Sequence, residues 1–291
     1  KHVFCEKPVG GTPAQTARAA SAARRAGVLT GVGYNYRFAP LVRHARTLIT
    51  DGRLGDVTLF RARFFSMYGN NPLGVLSWRF LQDEAGYGVS SDLLSHALDL
   101  AHILVGPIRR LVGARATTIA DRPFAGGAAS HYGRGAAGDP AGAVTNEDYV
   151  AALVEFASGA TGTFEASRTL HGPESQLAFD VYGTAGALEW SLEHMNELRA
   201  NLDGEGYTTL LGGDRFPRHG AFVPGAGNPI GYEDLIAIED FEFLEAVARG
   251  EKHEASFEEA LAVAAVQEAL VRSWDSGTWQ DVVAVREPVG A

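Results

Sequence analysis

The amino end of the chain sets the strongest constraint on its fold. His2 to Glu6 is a short apolar run rich in strand formers, the pattern of a parallel strand buried on both faces. An alanine-rich helix follows through Arg25, with Thr12 as its N-cap, Pro13 at the first helical position and Gly27 after the last turn. Val28 to Tyr34 then reads as a second strand. Strand, helix and strand in roughly thirty residues make a βαβ unit, whose strands are parallel and whose crossover is right-handed. Two strands of a doubly wound sheet do not stand alone. The chain opens without Met and inside a strand, so the remaining strands are expected upstream of Lys1.

After this unit the pattern changes. Pro40 to Thr50 is helical and closes at Asp51-Gly52. Val57 to Met67 alternates as a long strand, and Ser91 to Val105 reads as one amphipathic helix ended by Gly106-Pro107. Strands are expected at Arg110 to Ile119, Tyr149 to Phe156, Ala160 to Ser167, Leu177 to Tyr182 and Ala187 to Ser191, and helices at Asp234 to Arg249 and Ser256 to Ser276. Phe124 to Ala143 and Asp203 to Gly231 fit neither period. The fold class is therefore α/β plus α+β: part of a Rossmann sheet over residues 1–38, then an α+β domain over 39–291 with an open, largely antiparallel mixed sheet.

Composition narrows the partners. Lys plus Arg is 25 against 35 Asp plus Glu, and a formal charge of −10 disfavours nucleic acid or an anionic membrane. A small molecule or another copy of the chain is the expected partner. The single cysteine, Cys5, cannot pair within the chain and is expected as buried packing, which suits a reducing cytoplasm. No apolar run approaches the roughly 18 to 20 residues of a membrane helix.

The helix from Ser91 carries the densest chemistry. At 100° per residue Asp92, His96 and Asp99 fall within roughly 60° of one another, opposite Leu94, Ala97, Leu98, Ala101 and Leu104. An imidazole can take a proton from an alcohol while a carboxylate one turn away orients it or the substrate. The same residues would also serve as a solvated face. With His102 they have the spacing of metal ligands but poorer facing, and no metal is expected. Glu6-Lys7-Pro8 and Asn35-Tyr36-Arg37 end the two parallel strands on one edge, where open α/β sheets bind ligands. Lys7 could stabilise an alkoxide or sit beside a nicotinamide ribose, although a strand-end lysine is equally a surface charge, and Arg37 a simple ion-pair partner. Trp78-Arg79 offers a sugar-stacking face and a hydroxyl donor, or an interface. No Gly-x-Gly-x-x-Gly follows a strand, and no Gly-x-Ser-x-Gly elbow is present.

Taken in order, His2-Val3-Phe4-Cys5-Glu6-Lys7-Pro8, Gly33-Tyr34-Asn35-Tyr36-Arg37-Phe38-Ala39-Pro40, the run Gly86 to Asp99, Tyr182 to Leu188 and Ser273 to Gly277 resemble the glucose-fructose oxidoreductase, inositol dehydrogenase and rhizopine-catabolism (Gfo/Idh/MocA) family. The resemblance implies an NAD- or NADP-dependent oxidoreductase passing hydride between nicotinamide and a secondary hydroxyl of a sugar, polyol or inositol. It implies a Rossmann domain whose fifth and sixth strands are those read here, and an assembly of two or four copies. On it Lys7 is catalytic and touches both cofactor and substrate, and Asp92 and His96 are catalytic and bind the reacting hydroxyl; position and residue type add Glu6, Pro8, Asn35 and Arg37 as expected cofactor contacts and Tyr36, Trp78, Arg79 and Asp99 as expected substrate contacts. Asp99 could hold His96. One departure is Tyr87, where the family often carries a small residue. A second class, a non-catalytic relative acting as a binding or scaffolding subunit, stays open.

Overall fold

The computed structural model describes residues 1–124, 132–202 and 204–285. The opening unit is as read: β1 (Val3–Cys5), α1 (Pro13–Ala26) and β2 (Thr30–Val32), with the two strands parallel and Val3 opposite Thr30. Thr12 and Gln15 close a reciprocal capping box at the start of α1, and Gly27 ends it at φ 62°, a left-handed conformation that favours glycine. Among the described residues β1 pairs only with β2, and Val3 is 40% exposed. Cys5 is half-buried.

The chain continues through α2 (Pro40–Thr50), β3 (Val57–Ser66), α3 (Gln82–Ala85), α4 (Val89–Asp92) and α5 (Leu94–Leu104). Next come β4 (Ile108–Ala116), β5 (Asp121–Pro123), β6 (Ala141–Ala143), β7 (Tyr149–Phe156), β8 (Thr161–Ser167), β9 (Ser175–Gly183) and β10 (Ala187–Ser191). The close is β11 (Glu197–Asn201), β12 (Thr208–Leu211), α6 (Tyr232–Arg249), α7 (Phe257–Ser276) and β13 (Gln280–Asp281). Nine strands form one sheet in the order β12-β11-β10-β9-β3-β8-β7-β4-β13. Every neighbouring pair is antiparallel except β3 and β8, so the sheet is mixed and largely antiparallel.

Alternation gives this sheet one covered face. Along β7, Val150, Val154 and Phe156 are buried on the face that α4, α5 and α7 cover, with α4 the helix against β7 itself, whereas Leu153 is exposed on the other side. The buried cluster runs without interruption from Ala20 and Val32 through Phe38 to Phe60, Leu98 and Val266, so packing does not break at residue 38. The backbone of Val32 donates to the carbonyl of Ala255, joining β2 to the approach of α7. Two further readings change. The unassigned run from 203 contains β12, and the expected single helix from Ser91 is two, broken at Leu93. Helix α5 has no solvated face either: Leu94 to Ala101 are all buried, because the sheet, α7 and the loop after β2 enclose it. The middle of the other unassigned run, 125–131, lies outside the described residues.

Candidate active site

Lys7 follows the carboxyl end of β1, and its ammonium reaches 85 positions along the chain to α4. It donates to the backbone oxygen of Asp92 at 2.6 Å and to Asp92 Oδ1 at 2.8 Å. The other carboxylate oxygen, Oδ2, accepts from Tyr68 Oη at 3.0 Å and from Arg79 Nη1 at 3.4 Å. Three donors from three separate segments thus converge on one half-buried carboxylate. Burial works against its charge, but Lys7, Arg79 and the Tyr68 hydroxyl together outweigh burial and pull the pKa down to about 2.

His96 lies one turn beyond the Leu93 break and is only 7% exposed. Its ring is enclosed edge-on by Tyr36 at 4.8 Å and Tyr34 at 5.9 Å, with Phe64 at 6.0 Å between centroids. Nδ1 is buried without a hydrogen-bond partner among the described residues. Burial holds its pKa well below the ordinary histidine value, the charge of Lys7 adds to this, and Asp92 only partly opposes it. The imidazole is therefore neutral at pH 7 and free to accept a proton.

Two adjoining cavities meet at this cluster. One, of about 230 Å³, is lined by Tyr36, Phe64, Ser66, His96, Ser175 and Tyr232. The other, of about 290 Å³, is lined by Glu6, Pro8, Trp78, Tyr87, Gly88 and Arg168. Lys7, Tyr68, Arg79 and Asp92 line both. Trp78 is 52% exposed with the Arg79 guanidinium stacked on its ring at 4.6 Å. Tyr87 packs edge-on against Trp274, 5.9 Å away, and lines the second cavity.

The structure gathers Glu6, Lys7, Pro8, Tyr36, Trp78, Arg79, Asp92 and His96 around the two adjoining cavities, and it leaves three expected residues, Asn35, Arg37 and Asp99, outside both. Asp99 does not hold His96 and lines neither cavity. Its carboxylate forms a fork with Arg37 instead, Arg37 Nε donating to Oδ2 at 3.0 Å and Nη2 to Oδ1. Arg37 also donates to the Glu254 carbonyl at 2.7 Å, and its side chain is 2% exposed, so it is an internal ion-pair partner that lines neither cavity. Burial works against the Arg37 charge, but Asp99 outweighs it and raises the pKa. His96 and Asp99 lie together in α5, and it is the buried Arg37 guanidinium from the loop after β2 that takes up the Asp99 carboxylate. Asn35 is buried, with its side-chain amide nitrogen unpartnered among the described residues. No group of three metal-ligating side chains occurs among the described residues, so His102 has no partners for a metal.

Tyr68 and Arg168 were not legible as site residues. Both follow strands, and the parallel pairing of β3 with β8 puts the ends of those strands side by side. A tyrosine two residues past a strand carries no motif; only that pairing brings it to Asp92.

Residues 42–189 match the Gfo/Idh/MocA C-terminal domain. The chain is 32% identical over 289 residues to levoglucosan dehydrogenase of Pseudarthrobacter phenanthrenivorans, covering 97% of this chain and 74% of that protein. It belongs to the Gfo/Idh/MocA family. A solved levoglucosan dehydrogenase in complex with NADH and L-sorbose superposes with a TM-score of 0.91 at 30% identity, over 98% of this chain and 74% of that one. Inositol 2-dehydrogenase of Rhizobium meliloti is 26% identical over 275 residues, 94% of this chain and 71% of that protein. No helix of the described residues is long and apolar enough to cross a membrane.

Proposed function

We propose that the protein is an NAD- or NADP-dependent oxidoreductase that interconverts a secondary hydroxyl and a ketone on a sugar, polyol or inositol-type substrate. The observation that carries this reading is the convergence of Lys7, Asp92 and a neutral, buried His96 on one cavity wall. Two features fit a nicotinamide dinucleotide at the carboxyl ends of β1 and β2: the cavity bordered by Glu6, Lys7 and Pro8, and the buried Asn35 amide that still has a donor to offer. Such a cofactor supplies the hydride acceptor when bound. The named relatives, a levoglucosan dehydrogenase bound to NADH and L-sorbose and an inositol 2-dehydrogenase, support the same substrate class.

The chain's own residues divide the remaining work. His96 accepts the hydroxyl proton, which a neutral imidazole can do and an imidazolium cannot. Lys7 places its ammonium where negative charge grows on the substrate oxygen, and this interaction is stronger in the transition state than in the ground state. Asp92 is ionised throughout the neutral range, orients that hydroxyl and holds Lys7. Tyr36 forms part of the pocket wall, the Trp78 face suits the C–H side of a sugar ring, and Arg79 still has donors for its hydroxyls. The open sheet face bearing Arg61, Leu153 and Glu165 supports self-association into dimers or tetramers. A scaffolding subunit would have no need of a neutral base and an ammonium on one cavity wall. The test is a panel of sugars, anhydrosugars, polyols and inositols, with NAD and NADP in turn, on the full-length gene product. Formation of reduced nicotinamide with at least one secondary alcohol is expected; cofactor binding without turnover on any would favour the scaffold.

A further inference from the structure

Three consecutive polar residues ahead of β7, Asn146, Glu147 and Asp148, are 2%, 1% and 0% exposed and line neither cavity. Burying an amide and two carboxylates side by side is costly unless every partner is placed. Half of their side-chain hydrogen bonds go to the segments that carry Arg79 and Asp92, the rest go to Arg168 and the Thr118–Ile119 backbone, and Glu147 Oε2 has no partner among the described residues.

Asn146 Nδ2 donates to the backbone oxygens of Arg79 at 3.0 Å and Gly86 at 3.3 Å. Its Oδ1 accepts from Arg168 Nη2 at 2.7 Å. Arg168 Nη1 donates to the same Arg79 oxygen at 3.0 Å, and Arg168 Nε to Asp148 Oδ1 at 2.7 Å. The Asp148 Oδ2 accepts from the backbones of Thr118 and Ile119 at 2.9 and 3.0 Å. The carbonyl that precedes Phe80 is thus held by two side chains, and the Phe80 ring lies between the guanidinium groups of Arg168 at 4.4 Å and Arg122 at 4.0 Å.

Glu147 does the same for α4. That helix starts after Gly88, which has no side chain to cap it. Instead Glu147 Oε1 accepts from Ser90 N at 3.0 Å and from Ser90 Oγ at 2.6 Å, and the Glu147 carbonyl accepts from Val89 N at 3.2 Å. The approach requires glycine: a Cβ at position 88 would stand 2.1 Å from that carbonyl oxygen. Asp92 N bonds back to the Gly88 oxygen at 3.0 Å, which closes the turn. A one-turn helix cannot hold its own direction, so that direction comes from its partners.

We propose that Asn146, Glu147 and Asp148, together with Arg168, are positioning residues that hold Arg79 and Asp92 in one register against Lys7. Glu147 acts through Asp92, and Asn146 acts through Arg79. This rests on the reading of the site given above.

The test is a double-mutant cycle on the full-length enzyme, with rates taken per folded active site. Displacing a reacting group by about 1 Å costs up to roughly 10²-fold, so Glu147→Ala is expected to lower kcat at least about tenfold. In an Asp92→Asn background the same change should cost no more than about threefold, because the group it positions is already gone. Glu147→Gln keeps an oxygen for Ser90 and should restore most of the rate. Asn146→Ala against Arg79→Met should behave alike, in KM more than in kcat. Losses that multiply in both cycles would overturn the proposal; if Glu147→Ala fails to fold, Glu147→Met, which keeps the volume but removes the acceptor, and Asn146→Ser carry the same cycles. A crystal structure of Glu147→Ala gives a readout without turnover, separating failure of this inference from failure of the assigned reaction. Asp92 should move off Lys7, and retention of the 2.8 Å contact would refute the positioning role.

Discussion

Asp92 and Asp99 stand on one helical run, on either side of the break at Leu93, and their surroundings give them opposite work. The Asp92 side chain is 25% exposed and is held by donors from Lys7, Tyr68 and Arg79 at the edge of two cavities. The Asp99 side chain is 3% exposed and spends its whole carboxylate on Arg37. Residue type and spacing do not separate these two. What separates them is whether the partner cation is itself free to meet a ligand: Lys7 lines a cavity, and Arg37 does not.

The largest effect expected from this contrast is on stability. Asp99→Ala strands the Arg37 guanidinium in the core and should cost about 3–5 kcal/mol, read from chemical denaturation, while turnover per folded molecule changes little. A variant with parental stability and no turnover would reverse the assignment and put Asp99 in the chemistry.

At the other aspartate the pattern should invert. Asp92→Asn and Lys7→Ala should each lower kcat by roughly 10²-fold or more, since each removes an interaction that meets the reacting oxygen. KM for the sugar should stay within about threefold for Lys7→Ala, whose charge acts mainly on the transition state. Melting temperatures should move far less than for Asp99→Ala, because the Lys7–Asp92 pair is half in solvent and weakly stabilising. Steady-state kinetics beside thermal melts checks both halves.

This asymmetry also explains what the sequence could and could not disclose. The βαβ unit was legible because each signal is local: Thr12 as cap, Pro13 inside the first turn, Gly27 past the last. Lys7, Asp92 and His96 were legible because strand ends and helical spacing are written in consecutive residues. The same spacing put Asp99 on that face, and nothing local showed that Arg37 would take its carboxylate. Tyr68, Arg168 and the Asn146–Asp148 run were missed because they converge only through the register of β8 with β7 and with β3, whose residues lie about a hundred positions away from those of β8. Strand β12 was hidden in a Gly- and Pro-rich stretch, where four residues supply too little alternation to stand out.

His96 sharpens the contrast through pH. Its pKa lies well below 6.5 because burial and Lys7 disfavour the imidazolium. Oxidation should therefore hold steady through neutrality and fall only on the acid side, as the ring gains the proton that blocks it. His96→Asn should lose about 10²-fold in kcat/KM and lose that acidic limb with it. The profile is measured at saturating cofactor in parent and variant; an unchanged limb in the variant would move the proton acceptor away from His96.

A third carboxylate, Glu239 on α6, extends the comparison to a case without a dedicated cation. It is 2% exposed, and its Oε1 has no hydrogen-bond partner among the described residues. Burial first, then the charges of Glu6, Asp240 and Asp99, raise its pKa from 4.5 to about 9, with Arg37 opposing them weakly. Between those two values the folded protein binds a proton that the unfolded chain has lost. Its contribution to stability is therefore fully present below about pH 4.5 and declines as pH rises through about 9. Glu239→Gln keeps the volume and removes the titration. The variant's melting temperature should match the parent's near about pH 5, where both side chains are neutral in the fold, and exceed it by a few degrees near about pH 9. Melts across that range decide the matter. A difference that stays flat with pH would mean that Glu239 is ionised in the fold and that Arg37 serves it as well as Asp99, and the buried pair would then be a triad.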